Sequence, residues 1–201
     1  MTYEQNNRFS IFPCGWWDEA TQEVKMRQRP QQTMTIGDAY RYIVSERARW
    51  ATDTLRSMLA TGTKDELANF KVRHFEYATF SGRFSYRNAR SLLERTPYIT
   101  IDIDNLGSMA EARELQEVFC NDTNVETALC FVSPKGLGVK WIAELPQWLQ
   151  GKPFKEQFES LRRYVGFHYG LDPDKSGSDV CRACFLPWDK KCFINKKYLI
   201  K

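Results

Sequence analysis

The order of elements predicted after Pro97 constrains the fold of this chain more than any other feature. Hydrophobic periodicity and turn residues there predict strand, helix, strand, strand, helix, strand. This order is typical of the split βαβ arrangement, an antiparallel sheet (β-α-β-β-α-β) with both helices on one face. We therefore expect an α+β core over residues 97–201, with the other face of its sheet open. Residues 1–96 should add an N-terminal arm and a mostly helical, basic subdomain, packed on the core as one compact unit.

Capping residues set the expected ends of the helices. Thr35, Thr63 and Ser108 each precede an acidic residue three positions later, which is typical of a helix start, and Gly170 suits a helix end. The expected helices are 35–62, 63–70, 88–95, 108–120 and 153–170, and the expected core strands are 97–105, 125–132, 139–145 and 181–186, with 192–195 beside the last.

Two carboxylates end the first core strand. Side chains alternate between the faces of a strand, so Asp102 and Asp104 should point to the same side and reach one cation. Mg²⁺ and Mn²⁺ take oxygen ligands and keep positions open for water and substrate phosphates. The pair therefore predicts an open metal site, and two solvated acids at a strand end are the alternative.

Composition limits the class of protein. The chain has 201 residues, of which 42% are hydrophobic and 14% aromatic, and no apolar run approaches the ~18 residues of a membrane span. With a polar start and no secretory signal, we expect a cytoplasmic protein without a membrane partner and with reduced thiols in its six cysteines. Cys181, Cys184 and Cys192 leave zinc open as an alternative, although a fourth ligand is not obvious.

Positive charge is concentrated between residues 71 and 95. This segment holds six basic and two acidic residues, so it alone carries a net charge equal to the +4 of the whole chain. Aromatic residues alternate with the basic ones, as in surfaces that bind nucleic-acid backbones and unstacked bases, although a solvated face gives the same pattern. The candidate nucleic-acid-binding residues are Lys71, Arg73, Arg83, Arg87 and Arg90, and the interleaved aromatic residues are Phe75, Tyr77, Phe80, Phe84 and Tyr86.

Two further stretches should converge on the acid pair. The predicted hairpin 133–138 contains glycines that allow close approach to a ligand, and its lysines suit phosphates. Acids also follow the second core helix, and an arginine lies in the last predicted strand. The candidate phosphate-binding residues are Ser133, Lys135, Gly136, Gly138, Lys140 and Arg182, and the candidate acids are Asp172, Asp174 and Asp179.

These motifs, in this order, resemble the catalytic core of archaeo-eukaryotic-type primases and primase-polymerases. The resemblance covers about residues 71–195 and is closest to the primase-like domain, labelled VirE N-terminal or BT-type, of mobile-element proteins, where it precedes a helicase-like region. It rests on residues 80–84, the Asp102 to Asp104 motif, residues 133–138, and the stretch from Asp172 through Arg182 to Asn195. It implies an RRM-like sheet of the topology predicted above.

The resemblance also implies roles for individual residues. Asp102, Asp104 and Asp172 would bind catalytic Mg²⁺ or Mn²⁺, with Asp174 or Asp179 as alternatives to Asp172. Ser133 and Lys135 would hold the triphosphate of a nucleotide, with Arg182 as a further anion contact. Lys135 stands where the primase motif has histidine.

The implied activity is nucleotidyl transfer during DNA replication. The substrates would be nucleoside triphosphates and a single-stranded DNA template, and a helicase domain would be the partner. A catalytically inactive module that binds nucleic acid or nucleotide and a metal-dependent nuclease remain alternatives, because the fold alone hosts many functions and paired acids also serve phosphodiester cleavage.

Overall fold

The structure is a computed structural model that describes residues 7–199. Over these residues the chain is mixed α/β, with five α-helices and several antiparallel sheets. None of the described helices combines the length and the apolar character that crossing a bilayer requires. The elements are β1 (Phe9–Phe12), β2 (Trp16–Asp18), β3 (Glu23–Lys25), β4 (Gln32–Met34), α1 (Ile36–Val44), α2 (Arg49–Ser57), α3 (Lys64–His74), β5 (Tyr77–Thr79), β6 (Gly82–Phe84), β7 (Leu92–Arg95), β8 (Tyr98–Ile103), α4 (Met109–Cys120), β9 (Thr127–Val132), β10 (Val139–Glu144), α5 (Phe154–Tyr169), β11 (Cys184–Phe185) and β12 (Phe193–Ile194).

The predicted helix starts are confirmed. Thr35, Thr63 and Ser108 each accept a hydrogen bond from the backbone N–H three residues on, and Gly170 ends α5 with φ 67°. The single helix expected over 35–62 is wrong, because the chain breaks at Ser45. The Ser45 hydroxyl donates to the carbonyl of Tyr42 at 2.7 Å, and its backbone is extended, so α1 ends there and a new helical segment begins.

The second sheet, with strand order β12-β9-β10-β8, carries the candidate site. Its strands are all antiparallel, and the expected hairpin is β9 with β10. The register places Lys140 opposite Asp102. The expectation that 181–186 closes this sheet is wrong: β11 pairs with β5 in another sheet, and β12 takes the fourth place beside β9.

The N-terminal part is richer in strands than expected. The first sheet has the order β11-β5-β1-β4, and β2 and β3 form a separate hairpin. This part therefore combines helices α1 to α3 with seven short strands. The helix expected over 88–95 is wrong, because Leu92–Arg95 is β7, paired with β6, after a single 3₁₀ turn.

Each face of the second sheet is covered by its own core. On one face, Ile101 and Trp141 pack with residues of α4 and α5, as expected. The other face was expected to be open, but Phe131 and Ile142 pack there against Ile11 and other residues of the N-terminal part. Asp102 lies on this second face of β8, opposite Lys140 of β10.

Candidate metal centre

Three carboxylates converge at the end of β8. Asp102, Asp104 and Asp174 each offer an oxygen, and these oxygens lie within 4.8 Å of one another. It is the one such group of three or more potential ligands in the part of the chain that the structure describes. Asp102 is nearly buried, with 15% of its side chain exposed, whereas Asp104 is 48% exposed. A hard divalent cation fits this all-oxygen set, and the exposed side leaves room for further ligands.

Lys140 already neutralises part of this negative charge. Its ammonium forms ion pairs with Oδ1 of Asp102 and, at 3.4 Å, with Oδ1 of Asp104. Burial opposes the charge on Lys140, but the two carboxylates outweigh burial and raise its pKa. Burial in turn raises the pKa of Asp102. Lys140, a candidate phosphate contact, holds its positive charge between the two acids in this structure.

Asp174 enters the group through the backbone of its own segment. Its N–H donates to the carbonyl of Asp102 at 2.9 Å, which fixes the segment against the end of β8. Its carboxylate accepts from Arg182 at 2.8 Å and from the backbone N–H of Ser176 at 3.0 Å. Burial opposes its ionisation, but these bonds and the nearby cations lower its pKa, so Asp174 is ionised at neutral pH.

The structure places the two other candidate acids outside the group. Asp172, which the resemblance implied as a ligand, is 71% exposed and pairs with Arg162 on α5 at 2.7 Å. Asp179 accepts hydrogen bonds from the N–H and the thiol of Cys181. Of the alternatives, only Asp174 lies with Asp102 and Asp104. Arg182, expected as an anion contact, instead holds the carboxylate of Asp174 in place.

The hairpin 133–138 lies directly beside Asp104. A Cβ atom at Gly138 would be 2.4 Å from the carbonyl oxygen of Ile103 and 3.1 Å from Oδ1 of Asp104. Gly136 has φ 81°, a conformation that favours glycine, and Ser133 is buried with only 4% exposed. Both glycines are therefore needed for the close approach.

Lysines from three elements surround the acids. Burial, followed by the ammonium groups of Lys135 and Lys140, lowers the pKa of Lys71, and Asp102 and Asp104 act on it in the opposite direction. Lys71 on α3 therefore lies within electrostatic range of Lys135, Lys140 and the two acids. Ammonium groups near carboxylates are suited to a substrate that carries phosphates together with a divalent cation.

Two of the other basic residues of the 71–95 segment, Arg83 and Arg87, have partners within the N-terminal part. Arg83 pairs with Glu94 at 3.2 Å, and Arg87 donates to Gln28 and lies over the ring of Tyr77. Arg73 and Arg90 are exposed. The interleaved aromatic residues were expected to be available for stacking, which is wrong for four of the five: only Tyr86, at 40%, is exposed. The buried members of that set are Phe75, Tyr77, Phe80 and Phe84.

The cysteines give no support to the zinc alternative. Cys184 lies in the first sheet, Cys192 precedes the last strand of the second, and no group of potential ligands within residues 7–199 includes either of them. All six cysteines are free thiols.

Two residues that sequence reasoning missed hold the hairpin in place. Arg56 of α2 donates to the carbonyls of Pro134 and Ser133 at 3.2 and 3.4 Å. The buried carboxylate of Asp189 accepts from the N–H of Val132 at 2.8 Å and pairs with Arg113 of α4. Arg56 lies outside every motif, and Asp189 lies in the stretch from Asp172 to Asn195 without a local pattern that marks it; both act through contacts distant in sequence.

Gly138→Ala tests the fit of the hairpin against Asp104. The added methyl group cannot be accommodated unless the hairpin or the end of β8 moves, and such crowding costs about 1–3 kcal/mol. We expect Mn²⁺ affinity, measured from the electron paramagnetic resonance signal of free Mn²⁺, to fall about tenfold. Gly166→Ala is the matched control, because a Cβ there has ordinary contact distances within helix α5. Equal Mn²⁺ affinity in both variants would contradict the assigned contact.

Comparison with known proteins gives a family without an established activity. Among curated proteins and among solved structures, none matches this chain. A protein-family model described as "BT4734-like, N-terminal domain" matches residues 70–193. The match includes the end of α3 with Lys71, all three acids and the hairpin 133–138. Since it covers more than half of the sequence, the chain belongs to the BT4734-like N-terminal domain family.

Proposed function

We propose that this chain is a metal-dependent nucleotidyltransferase module of the primase-polymerase type. The observation that carries the proposal is the convergence of Asp102, Asp104 and Asp174 within 4.8 Å, beside the lysines of α3 and the hairpin. Nucleotidyl transfer needs carboxylates for divalent cations and fixed positive charge for a triphosphate, and both are present at one place.

The topology gives partial support to a likeness to RRM-like primase cores. The succession β8, α4, β9, β10 and the central order β9-β10-β8 agree with a split βαβ sheet. The fourth strand differs, because β12 lies beside β9 and not beside β8. The three strands that agree with a split βαβ sheet are those that carry Asp102, Asp104 and the hairpin. We therefore include membership of the primase superfamily in the proposal.

Each residue of the site would have its own role in the reaction. Asp102, Asp104 and Asp174 would hold Mg²⁺ or Mn²⁺, which when bound supplies Lewis-acid polarisation of a 3′-hydroxyl and of phosphoryl oxygens. Lys71 and Lys135 would attract the triphosphate, and Gly138 keeps the hairpin backbone close to Asp104. Lys140 would give up its contact with Asp104 and keep its buried partner Asp102. Ser133 is better placed to shape the hairpin than to bind phosphate, because it is buried.

The proposed substrates are nucleoside triphosphates and a single-stranded DNA template, with a helicase domain as a possible neighbour in a mobile-element protein. The exposed aromatic residue best placed to stack on a base is Trp50 of α2, 65% exposed and beside Phe70 and His74 of α3. Since α3 also carries Lys71, Trp50 packs on the helix that carries this lysine.

A second function is favoured by one observation. The ion pairs of Lys140 with Asp102 and Asp104 leave the site partly neutralised without any metal, as a module that only binds nucleotide or nucleic acid would require. In that case the same lysines bind phosphates and no bond is made.

Labelled nucleotide incorporation separates these functions. Purified protein is incubated with primed or unprimed single-stranded DNA, deoxynucleoside or ribonucleoside triphosphates, and Mn²⁺ or Mg²⁺. We expect extended products that require the metal. Shortened DNA would instead identify a nuclease. Binding without either product, unchanged in the double variant Asp102→Asn with Asp104→Asn, would identify the binding module and overturn the proposal.

A further inference from the structure

Arg95 is a half-buried cation that forms no ion pair with a described carboxylate. Its Nη1 is inaccessible to solvent and has no hydrogen-bond partner among the described residues, and its Nη2 donates only a long bond, 3.4 Å, to the side-chain oxygen of Gln157. The guanidinium lies over the ring of Phe154, 4.4 Å from its centroid. No carboxylate within residues 7–199 pairs with it. The guanidinium of Arg95 therefore has donor capacity that no described carboxylate takes up, and an anion in the adjoining cavity would supply the missing charge.

The cavity at Arg95 is also the start of helix α5. It has a volume of about 420 Å³, and its lining includes Gly151, Lys152 and Phe154. No side chain caps α5, which begins after Pro153, so the first backbone N–H groups of this 16-residue helix have no side-chain acceptor. The positive end of the helix dipole and these N–H groups favour an anion at the same place.

The surrounding groups select the class of anion. Arg95 offers a forked donor, Lys152 adds a second cation, and the start of α5 adds backbone donors. Lys152 pairs with Glu156 at 2.8 Å on the exposed side, so its charge is shared. Several convergent donors around one cavity match the three or four acceptor oxygens of a phosphate group better than the two of a carboxylate.

A second cavity contains a charged group that, unlike Arg95, has hydrogen-bond partners within the protein. At the other end of α5, a depression of about 650 Å³ contains Asp122, whose carboxylate accepts from the hydroxyls of Tyr164 and Tyr169 and from backbone N–H groups. Its central charge is satisfied by the protein itself. At Arg95 the central charge is left for a ligand.

We propose that the cavity formed by Arg95, Lys152 and the start of α5 binds a phosphate group. The site is separate from the acids: Arg95 precedes β8, whereas Asp104 follows it, and a six-residue strand spans about 20 Å. It therefore does not rest on the proposed function, although a nucleic-acid strand could supply a phosphate at this distance. A free or terminal phosphate has the same chemistry.

Inorganic phosphate is the first probe. Its affinity for the full chain is measured by isothermal titration calorimetry in a chloride buffer of constant ionic strength. We expect Arg95→Met to weaken binding about tenfold or more, since a hydrogen bond to a charged group is lost. Arg163→Met, which removes an exposed arginine from the same helix, should bind as the wild type does.

A second pair of variants leaves Arg95 in place. Gly151 has φ 77° and open space where a Cβ would lie, and Asp and Asn both tolerate this conformation. Gly151→Asp brings a negative charge to the cavity and should weaken phosphate binding about tenfold, whereas the isosteric Gly151→Asn should not. These two variants test phosphate binding at this cavity even if Arg95→Met does not fold.

Two oligonucleotides identify the source of the phosphate. If Arg95→Met binds oligothymidylate with a 5′-hydroxyl more weakly than the wild type does, the ligand is an internal phosphodiester. If Arg95→Met binds only the 5′-phosphorylated oligothymidylate more weakly, the ligand is a terminal phosphate. The proposal is overturned if wild-type protein does not bind phosphate, or if Arg95→Met and Gly151→Asp bind it as tightly as the wild type. Because every measurement here is of binding, a failure leaves the nucleotidyltransferase proposal untouched.

Discussion

Asp174→Asn is expected to reduce metal-dependent nucleotide incorporation by at least about 100-fold, because metal-ion catalysis supplies several kcal/mol of transition-state stabilisation. The same substitution should weaken Mn²⁺ binding, followed from the resonance signal of free Mn²⁺. Asparagine keeps the shape of the side chain and an oxygen that can accept from Ser176, so the turn after Asp174 should stay intact. The measured change then reports the lost negative charge.

Asp172→Asn is the matched control. It makes the same chemical change two residues away, on a carboxylate that is exposed and paired with Arg162. Exposed ion pairs contribute little to stability, so both the fold and Mn²⁺ binding should be unaffected. If Asp172→Asn lost metal binding and Asp174→Asn kept it, the third ligand would be Asp172 and not Asp174. That is the ligand which the sequence resemblance alone implies.

Lys140→Met should lower the free energy of unfolding by about 3–5 kcal/mol in the absence of divalent cations, because breaking a buried ion pair leaves an uncompensated charge. Asp102 would then face Asp104 and Asp174 without a cation between them. Urea unfolding followed by circular dichroism measures the change. Mn²⁺ should restore much of the loss, so it should stabilise the variant more than the wild type.

Lys155→Met controls for the loss of a lysine, since Lys155 is exposed on α5. It should change neither stability nor the response to Mn²⁺ appreciably. If Mn²⁺ stabilised Lys140→Met and the wild type equally, Lys140 would not occupy the place of the metal.

Local signals were sufficient where one stretch of sequence contains all the partners. Thr35, Thr63 and Ser108 meet their capping acids or N–H groups within three residues, and Gly170 ends α5 through its own backbone. The hairpin of β9 and β10 was also predicted, because its two strands are separated only by a short turn. Asp102 and Asp104 lie close together because strand alternation fixes them on the same side of the strand.

Local sequence patterns did not predict contacts between residues that are distant in sequence. The strand at Cys184 was recognised, but nothing near it shows that it pairs with β5 and not with the second sheet. Three acids with similar spacing followed α5, and only the bond from the N–H of Asp174 to the carbonyl of Asp102 selects one of them. Arg95 was counted only as part of a basic segment, because burial without a counterion is a property of the fold.

The pairing of β5 has a consequence for how the chain becomes ordered. This three-residue strand is held on one side by β1 and on the other by β11, so its neighbours come from opposite ends of the sequence. Such non-local pairing slows folding and makes it cooperative, since the entropy of closing long loops is lost before the contacts form. Separately synthesised pieces, divided at residue 96, would each carry an unpaired strand edge. Activity on mixing two such pieces would require them to assemble through this strand.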